Sequence, residues 1–284
     1  MSDIPLEVTG SNASQKDGSF LGIGSIRVVH DLGSQAGHQA FASFDYFLQE
    51  QNAVDSLDIS SYSAEAGASL KIGTSALTPS LRADNILLSR ETFLRTQGGK
   101  LRLDHPLNDK LSFFTSGEWT REDYTGISEN TVAEERKGHR ATAEIGGVTI
   151  LNPTMRLELK GSYIAKYAKA AYYEYDGFAA QAGHTWLLGK GQFLTNILSY
   201  EADLYDDPDF AISARTRRDE QYRYRMTYGA PVSLFIGKKI LPPVILENLT
   251  ALGIFEQFRS TSTVQNYTYR NSKVAVLLTK TVEF

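Results

Sequence analysis

The sequence predicts an all-β fold, a transmembrane antiparallel up-and-down β-barrel of about 14 strands, on three observations. Extended segments with period-two alternation recur along the whole chain, each supplying the roughly 9 to 11 residues that carry a tilted strand across a bilayer. The aromatic residues, 15 Tyr, 14 Phe and 2 Trp, are weighted toward tyrosine, which suits a membrane–water boundary. The last segment, Lys273 to Phe284, alternates to its end and stops on an aromatic residue, which a fraying soluble terminus would gain nothing from exposing.

Taken in order, Ile4 to Thr9 is a weakly patterned first strand, followed by the polar loop Gly10 to Gly18. Phe20 to Asp31 sets Phe20, Gly22, Gly24, Ile26 and Val28 against Ser25 and Arg27, and Leu32 to Gly37 turns the chain. Ala40, Ala42, Phe44, Tyr46 and Leu48 continue the apolar face. Ser61 to Ile72 alternates Tyr62, Ala64, Ala66, Ala68, Leu70 and Ile72 against small or charged residues. Thr74 to Pro79 reads as a turn by its Pro and Ser content, and Leu81 to Ser89 returns with Arg82 and Asp84 on the polar side. Phe93 to His105 and Leu111 to Tyr124 are joined by a tight P-L-N-D turn, and Thr125 to Lys137 reads as an exposed acidic loop.

His139 to Leu151 and Met155 to Ala168 meet at N-P-T. In the second of these, Arg156, Glu158, Lys160, Ser162 and Lys166 fall together opposite Met155, Leu157, Leu159, Gly161, Tyr163, Ala165 and Tyr167. Helical spacing would scatter those charges around an axis, so period two is the reading. Phe178 to Leu188 and Leu194 to Leu204 flank G-K-G-Q. Tyr222 to Leu234 opposes Asp219, Gln221, Arg223, Arg225 and Thr227. Gly237 to Pro243 leads into Ile245 to Arg259, whose register the pattern leaves open, and the segment from Asn266 closes the series. An even count lets one chain close without an unpaired edge and with both termini on one side. Short connections at Leu32, Thr74, Pro106, Asn152, Lys190 and Gly237 are expected on the periplasmic side, with the longer polar ones outside.

Composition narrows the alternatives. The 284 residues include no cysteine, so neither disulfides nor thiolate metal sites are available. A mean hydropathy of -0.28 excludes a helical membrane protein, whereas a barrel needs only half of each strand to be apolar. A net charge of -4 gives no reason to expect nucleic acid as a partner. The histidines His30, His38, His105, His139 and His184 show no metal-ligand spacing, and there is no nucleophile elbow, P-loop or dinucleotide fingerprint. No catalytic residue, cofactor or metal is therefore expected. An outer-rim hydrolase built from Asp206, Asp207, Asp209, or from Glu134 and Glu135 with His139, is outweighed by the ordinary reading of solvated loop charges.

The inward face carries the charges most able to act. Arg82, Arg102, Glu118, Arg140, Arg156, Glu158, Lys160, Arg223 and Arg225 are expected to line the lumen. They serve either as a path for polar cargo or as a salt-bridge lattice that stiffens the wall. On the terminal strand Phe284, Val282 and Leu278 share the apolar face, which makes them the expected signal for the barrel-insertion machinery. The start, M-S-D-I-P, has no basic and apolar leader, which suggests that other residues precede it in a longer protein.

At R-T-R-R-D (Arg215 to Asp219), Tyr228-Gly229-Ala230-Pro231 and Asn266 to Lys280, the chain resembles the barrel domain of the surface lipoprotein assembly modifier family. The likeness also touches L-R-L-D-H-P-L-N-D-K-L-S and E-W-T-R-E-D-Y. It implies one barrel domain over residues 1–284, preceded by a periplasmic tetratricopeptide-repeat domain, in the bacterial outer membrane. The implied partners are outer-membrane lipid, the insertion machinery, and an exported protein or periplasmic domain. The function expected on that basis is a pore that assists translocation of a polypeptide. A general or solute-specific diffusion porin is the alternative, and a barrel hydrolase the third reading.

Overall fold

In the computed structural model the described residues are 18–33, 37–52, 58–125, 131–236 and 248–280. Among the described residues thirteen strands hydrogen-bond in sequence order as one antiparallel sheet. They are β1 (Ser19–Asp31), β2 (Gln39–Gln51), β3 (Ile59–Ile72), β4 (Ser75–Leu88), β5 (Glu91–Pro106), β6 (Leu111–Tyr124) and β7 (Gly138–Asn152). The series continues with β8 (Met155–Ala168), β9 (Tyr175–Gly189), β10 (Gln192–Tyr205), β11 (Arg218–Pro231), β12 (Leu249–Ser262) and β13 (Tyr269–Lys280). The expected first strand, Ile4 to Thr9, lies outside the described residues, as do Val282 and Phe284. Counted over the described residues the strands are odd in number, so β1 and β13 run in the same direction. No ladder joins them among the described residues. The wall is nearly closed all the same, because Lys273 Nζ on β13 lies 3.4 Å from Gln49 Oε1 on β2.

Period two decides which side of the wall each residue takes. Pairing of Tyr46 with Tyr62, Tyr163 with Phe178 and Tyr200 with Tyr222 sets aromatic neighbours on the outer face, with ring centroids 5.1, 5.3 and 5.0 Å apart. Such cross-strand pairs fix register as well as burying area. Between these rings and a second set at Phe113, Trp186 and Tyr228 the outer wall is mainly aliphatic, with Tyr224 and Phe255 the aromatic exceptions on β11 and β12. Leu81, Ile145, Leu159, Leu198, Val274 and Val276 all stand exposed, Val274 at 77%. Leu278 joins them on the outer face of β13. A continuous apolar belt of this kind is incompatible with water and suits hydrocarbon, and a single-chain antiparallel barrel with aromatic girdles is the architecture of the bacterial outer membrane. The protein is a membrane-spanning β-barrel pore of that type.

Several connections differ from the sequence reading. Thr74 to Pro79 is not a turn: the reversal is made at Gly73 and Thr74, with Gly73 at φ 60°, and Pro79 sits inside β4. A proline removes a ladder donor, and the β3–β4 pairing passes from Gly67↔Ser80 to Leu70↔Leu77 without partners for the residues between. Gly67 accommodates the distortion, since a Cβ there would come within 2.5 Å of the Pro79 carbonyl oxygen.

At the opposite end β4 and β5 are joined by only Ser89 and Arg90, both at positive φ, the backbone of a two-residue hairpin turn. The connection expected at Gly237 to Pro243 lies outside the described residues. β11 ends at Pro231, a 3-10 turn follows at Val232–Leu234, and β12 begins at Leu249. The Thr125 to Lys137 segment contains a short helix, α1 (Thr131–Arg136). The register left open before the last strand is fixed by Arg225↔Glu256 and Met226↔Phe255.

Candidate functional site

The strands that alternate apolar outward must alternate polar inward, so the lumen inherits the charges of the sequence. A recurrent local arrangement handles them. An arginine two residues before an acid shares its face of the strand, and Arg82–Asp84, Arg102–Asp104, Arg156–Glu158 and Arg217–Asp219 all pair this way. In the Arg102 pair Nε lies 2.9 Å from Asp104 Oδ2 and Nη2 2.8 Å from Oδ1, a bidentate fork, and the guanidinium also stacks 4.1 Å over Phe114. Other pairs cross between neighbouring strands. Lys160 Nζ meets Glu144 at 2.8 Å, Lys100 meets Glu118 at 3.9 Å, and Arg225 Nε donates to Glu256 at 2.6 Å. Of the expected lumen residues, Arg82, Arg102, Glu118, Arg156, Glu158, Lys160 and Arg225 thus sit inward in ion pairs, and Arg223 lies 5.0 Å over the Phe258 ring.

The lumen opens into a chamber of about 430 Å³ near the end where the longer connections gather. Its wall combines Arg140, Lys160, Lys166, Arg217 and Arg223 with Glu122, Glu201, Asp203 and Asp219, among the rings of Tyr124, Tyr175, Tyr205, Phe258 and Tyr269. Lys166 and Glu122 form a buried ion pair on adjoining parts of the wall. Arg217 donates from Nε to Asp219 Oδ2 at 2.8 Å and lies 3.4 Å from the Tyr267 ring centre and 4.5 Å from that of Tyr205. Arg140 makes no such pair: its Nε is buried without a partner, like Oδ1 of Asp203 and of Asp219.

The connections above the chamber brace one another. Lys169 N donates to Lys137 O at 3.0 Å, Ala170 N to Glu135 O at 3.1 Å, and Asp206 N to Glu174 O at 3.1 Å. Glu134 pairs with Lys137 at 2.7 Å and also with Lys169, and these hydrogen bonds hold its carboxyl down at about 2. Tyr172 donates 2.5 Å to Glu135, which raises its phenol above the ordinary range. Because the Glu134 value is depressed on folding, its contribution is fully present above the ordinary 4.5 and fades as pH falls toward about 2. Amide hydrogen exchange at Lys169 and Ala170, corrected for intrinsic rate, is expected to lose protection over that window. Glu134→Gln is expected to lower protection already at pH 7; unchanged protection there would mean the pair contributes nothing.

The constellation of Glu134 and Glu135 with His139 does not assemble. His139 is on the outer wall, stacked 4.9 Å on Trp119, while Glu134 and Glu135 are engaged by lysines and Tyr172. Among the described residues no group of three or more His, Asp or Glu side chains is placed to hold a metal ion. His184 is likewise on the outer face, beside Trp186. The sequence pattern does not single out Glu201 and Asp203, and it includes Arg217 only within the arginine-rich run from Arg215. The signal for the first two was present, since Tyr200, Ala202 and Leu204 point outward and the residues between them must point in.

No family model and no curated protein sequence matches the chain. Among solved structures it is similar to the NanC porin in a rhombohedral crystal form, with 11% identity, a TM-score of 0.41, and coverage of 66% of this chain and 85% of that one. It is also similar to Pseudomonas aeruginosa OpdQ, with 12% identity, a TM-score of 0.39, and coverage of 92% of this chain and 99% of that one.

Proposed function

We propose that the barrel is an outer-membrane diffusion channel for small polar solutes, which pass through the charged and aromatic chamber. The observation that carries this reading is the size and lining of that chamber. About 430 Å³ lies within the range of small-molecule sites and holds on the order of a dozen waters. The paired charges around it keep the wall wet and rigid, while hydrogen bonds brace the connections at one end. Passage of a polypeptide, the role implied by the family resemblance, calls for a wider route or a partner that opens one.

Single-channel recording on the isolated barrel in a planar bilayer tests this. A steady open conductance in KCl, together with liposome swelling in uncharged sugars below a size limit, is the expected result. A barrel that stays closed until a partner is added would overturn it in favour of export. Removing two inward cations with Arg223→Ala/Arg225→Ala is expected to shift the reversal potential toward cation selectivity, because the lumen loses positive potential. Unchanged selectivity with lower thermal stability would leave these arginines only a structural role.

A further inference from the structure

We propose that the chamber is a binding site for a small zwitterion, whose anionic end faces Arg140 and whose ammonium end faces Glu201 and Asp203. The inference rests on the channel reading above and names the solute class. Three features of the wall carry it.

The first is the set of charges left over once the pairs are made. Among the described residues Arg140 on β7 has no hydrogen bond or ion pair, and its Nε is buried. Glu201 and Asp203 on β10 have no ion pair either, and Asp203 is only 4% exposed with Oδ1 unpartnered. Buried charges without partners are costly, and they persist where something outside the protein completes them.

The second is the arrangement around Asp203. It stands directly opposite Asp219 in the β10–β11 ladder, and Asp219 has one oxygen on Arg217 and the other, buried, on nothing. On its other side Asp203 faces Gly177, where a Cβ would come within 2.7 Å of Oδ1. Acid is thus crowded against acid, and the position beside it carries no side chain.

The third is separation. Arg140 and the acids belong to strands with β8 and β9 between them, about 14 Å of wall at ordinary strand spacing. All of them border the same cavity. Arg140 already feels Glu122, Glu201 and Asp203 across the cavity, so a simple anion on Arg140 would face the acids and a simple cation on the acids would face Arg140. A molecule with both charges satisfies both walls.

Calorimetry on the purified full chain in detergent micelles tests the site with γ-aminobutyrate, n-butylamine and butyrate as probes. Saturable binding of γ-aminobutyrate, with each single-charge probe at least about tenfold weaker, is expected. Arg140→Gln should weaken γ-aminobutyrate by about tenfold or more and leave n-butylamine unchanged. Asp203→Asn should weaken γ-aminobutyrate and leave butyrate unchanged, with Glu201→Gln giving the same readout if the first variant does not fold. Folding is checked by the heat-dependent electrophoretic shift. Equal binding of n-butylamine and γ-aminobutyrate, or no heat from any probe with folded wild-type protein, overturns the proposal; the latter would mean that water bridges the charges. KCl conductance is scored separately: a conducting barrel without zwitterion binding rejects the site alone, and a saturable site in a non-conducting barrel rejects the channel alone.

Discussion

Ile145→Arg is expected to cost the folded barrel about 2 to 4 kcal/mol, because it places a cation at the hydrocarbon midplane. Ile145 is the central residue of β7, faces outward and is 66% exposed to what must be lipid. The comparison is Thr142→Arg on the same strand. Thr142 borders the chamber and pairs across the ladder with Glu118, so an arginine there finds water and an acid. Its cost should stay below about 1 kcal/mol, in the range of an ordinary polar-site change. Urea titration of protein refolded into lipid vesicles, followed by the fluorescence of Trp119 and Trp186, measures both. Equal costs would contradict the assignment of inner and outer faces, and with it the membrane-spanning reading.

Lys166→Met is expected to cost about 3 to 5 kcal/mol, the penalty for stranding a buried charge. Lys166 and Glu122 are 6% and 9% exposed at the side chain, and Lys166 also lies 5.2 Å from the Tyr124 ring centre. The magnitude reflects Glu122 left without a counter-charge more than the worth of the pair itself. Adding Glu122→Gln to Lys166→Met should therefore restore most of the loss, since neutral groups of similar volume replace a desolvated ion pair at little net cost. A double variant as unstable as the single one would show that the lysine acts through packing against Tyr124. The same titration in vesicles reads both outcomes, and conductance checks that the lumen stays open.

The parts legible in the sequence are those that repeat. The run from Met155 to Ala168 has its charges at every second place, and the structure puts Arg156, Glu158, Lys160 and Lys166 inward on that strand. The closing strand is equally plain, with Val274, Val276 and Leu278 on the lipid side. Where the alternation is interrupted, local composition misleads. Pro79 suggests a turn because its missing donor disfavours a central strand, yet the neighbouring ladder simply skips that donor. Ser89 and Arg90 give no glycine signal for the tight turn they make at positive φ.

Alternation along the chain is enough to specify a two-sided wall, because period two sorts each residue to lipid or lumen without reference to any other strand. It even implied the pairs in which an arginine precedes an acid by two residues, since both lie on one face of one strand. Which inward charges are neutralised across strands, and which are not, follows from the folded sheet alone. Lys166 meets Glu122 from 44 residues away, whereas Arg140, Glu201 and Asp203 border one cavity without such a pair. The reason is that alternation fixes facing, whereas pairing depends on the register and curvature of a closed sheet, to which every strand contributes.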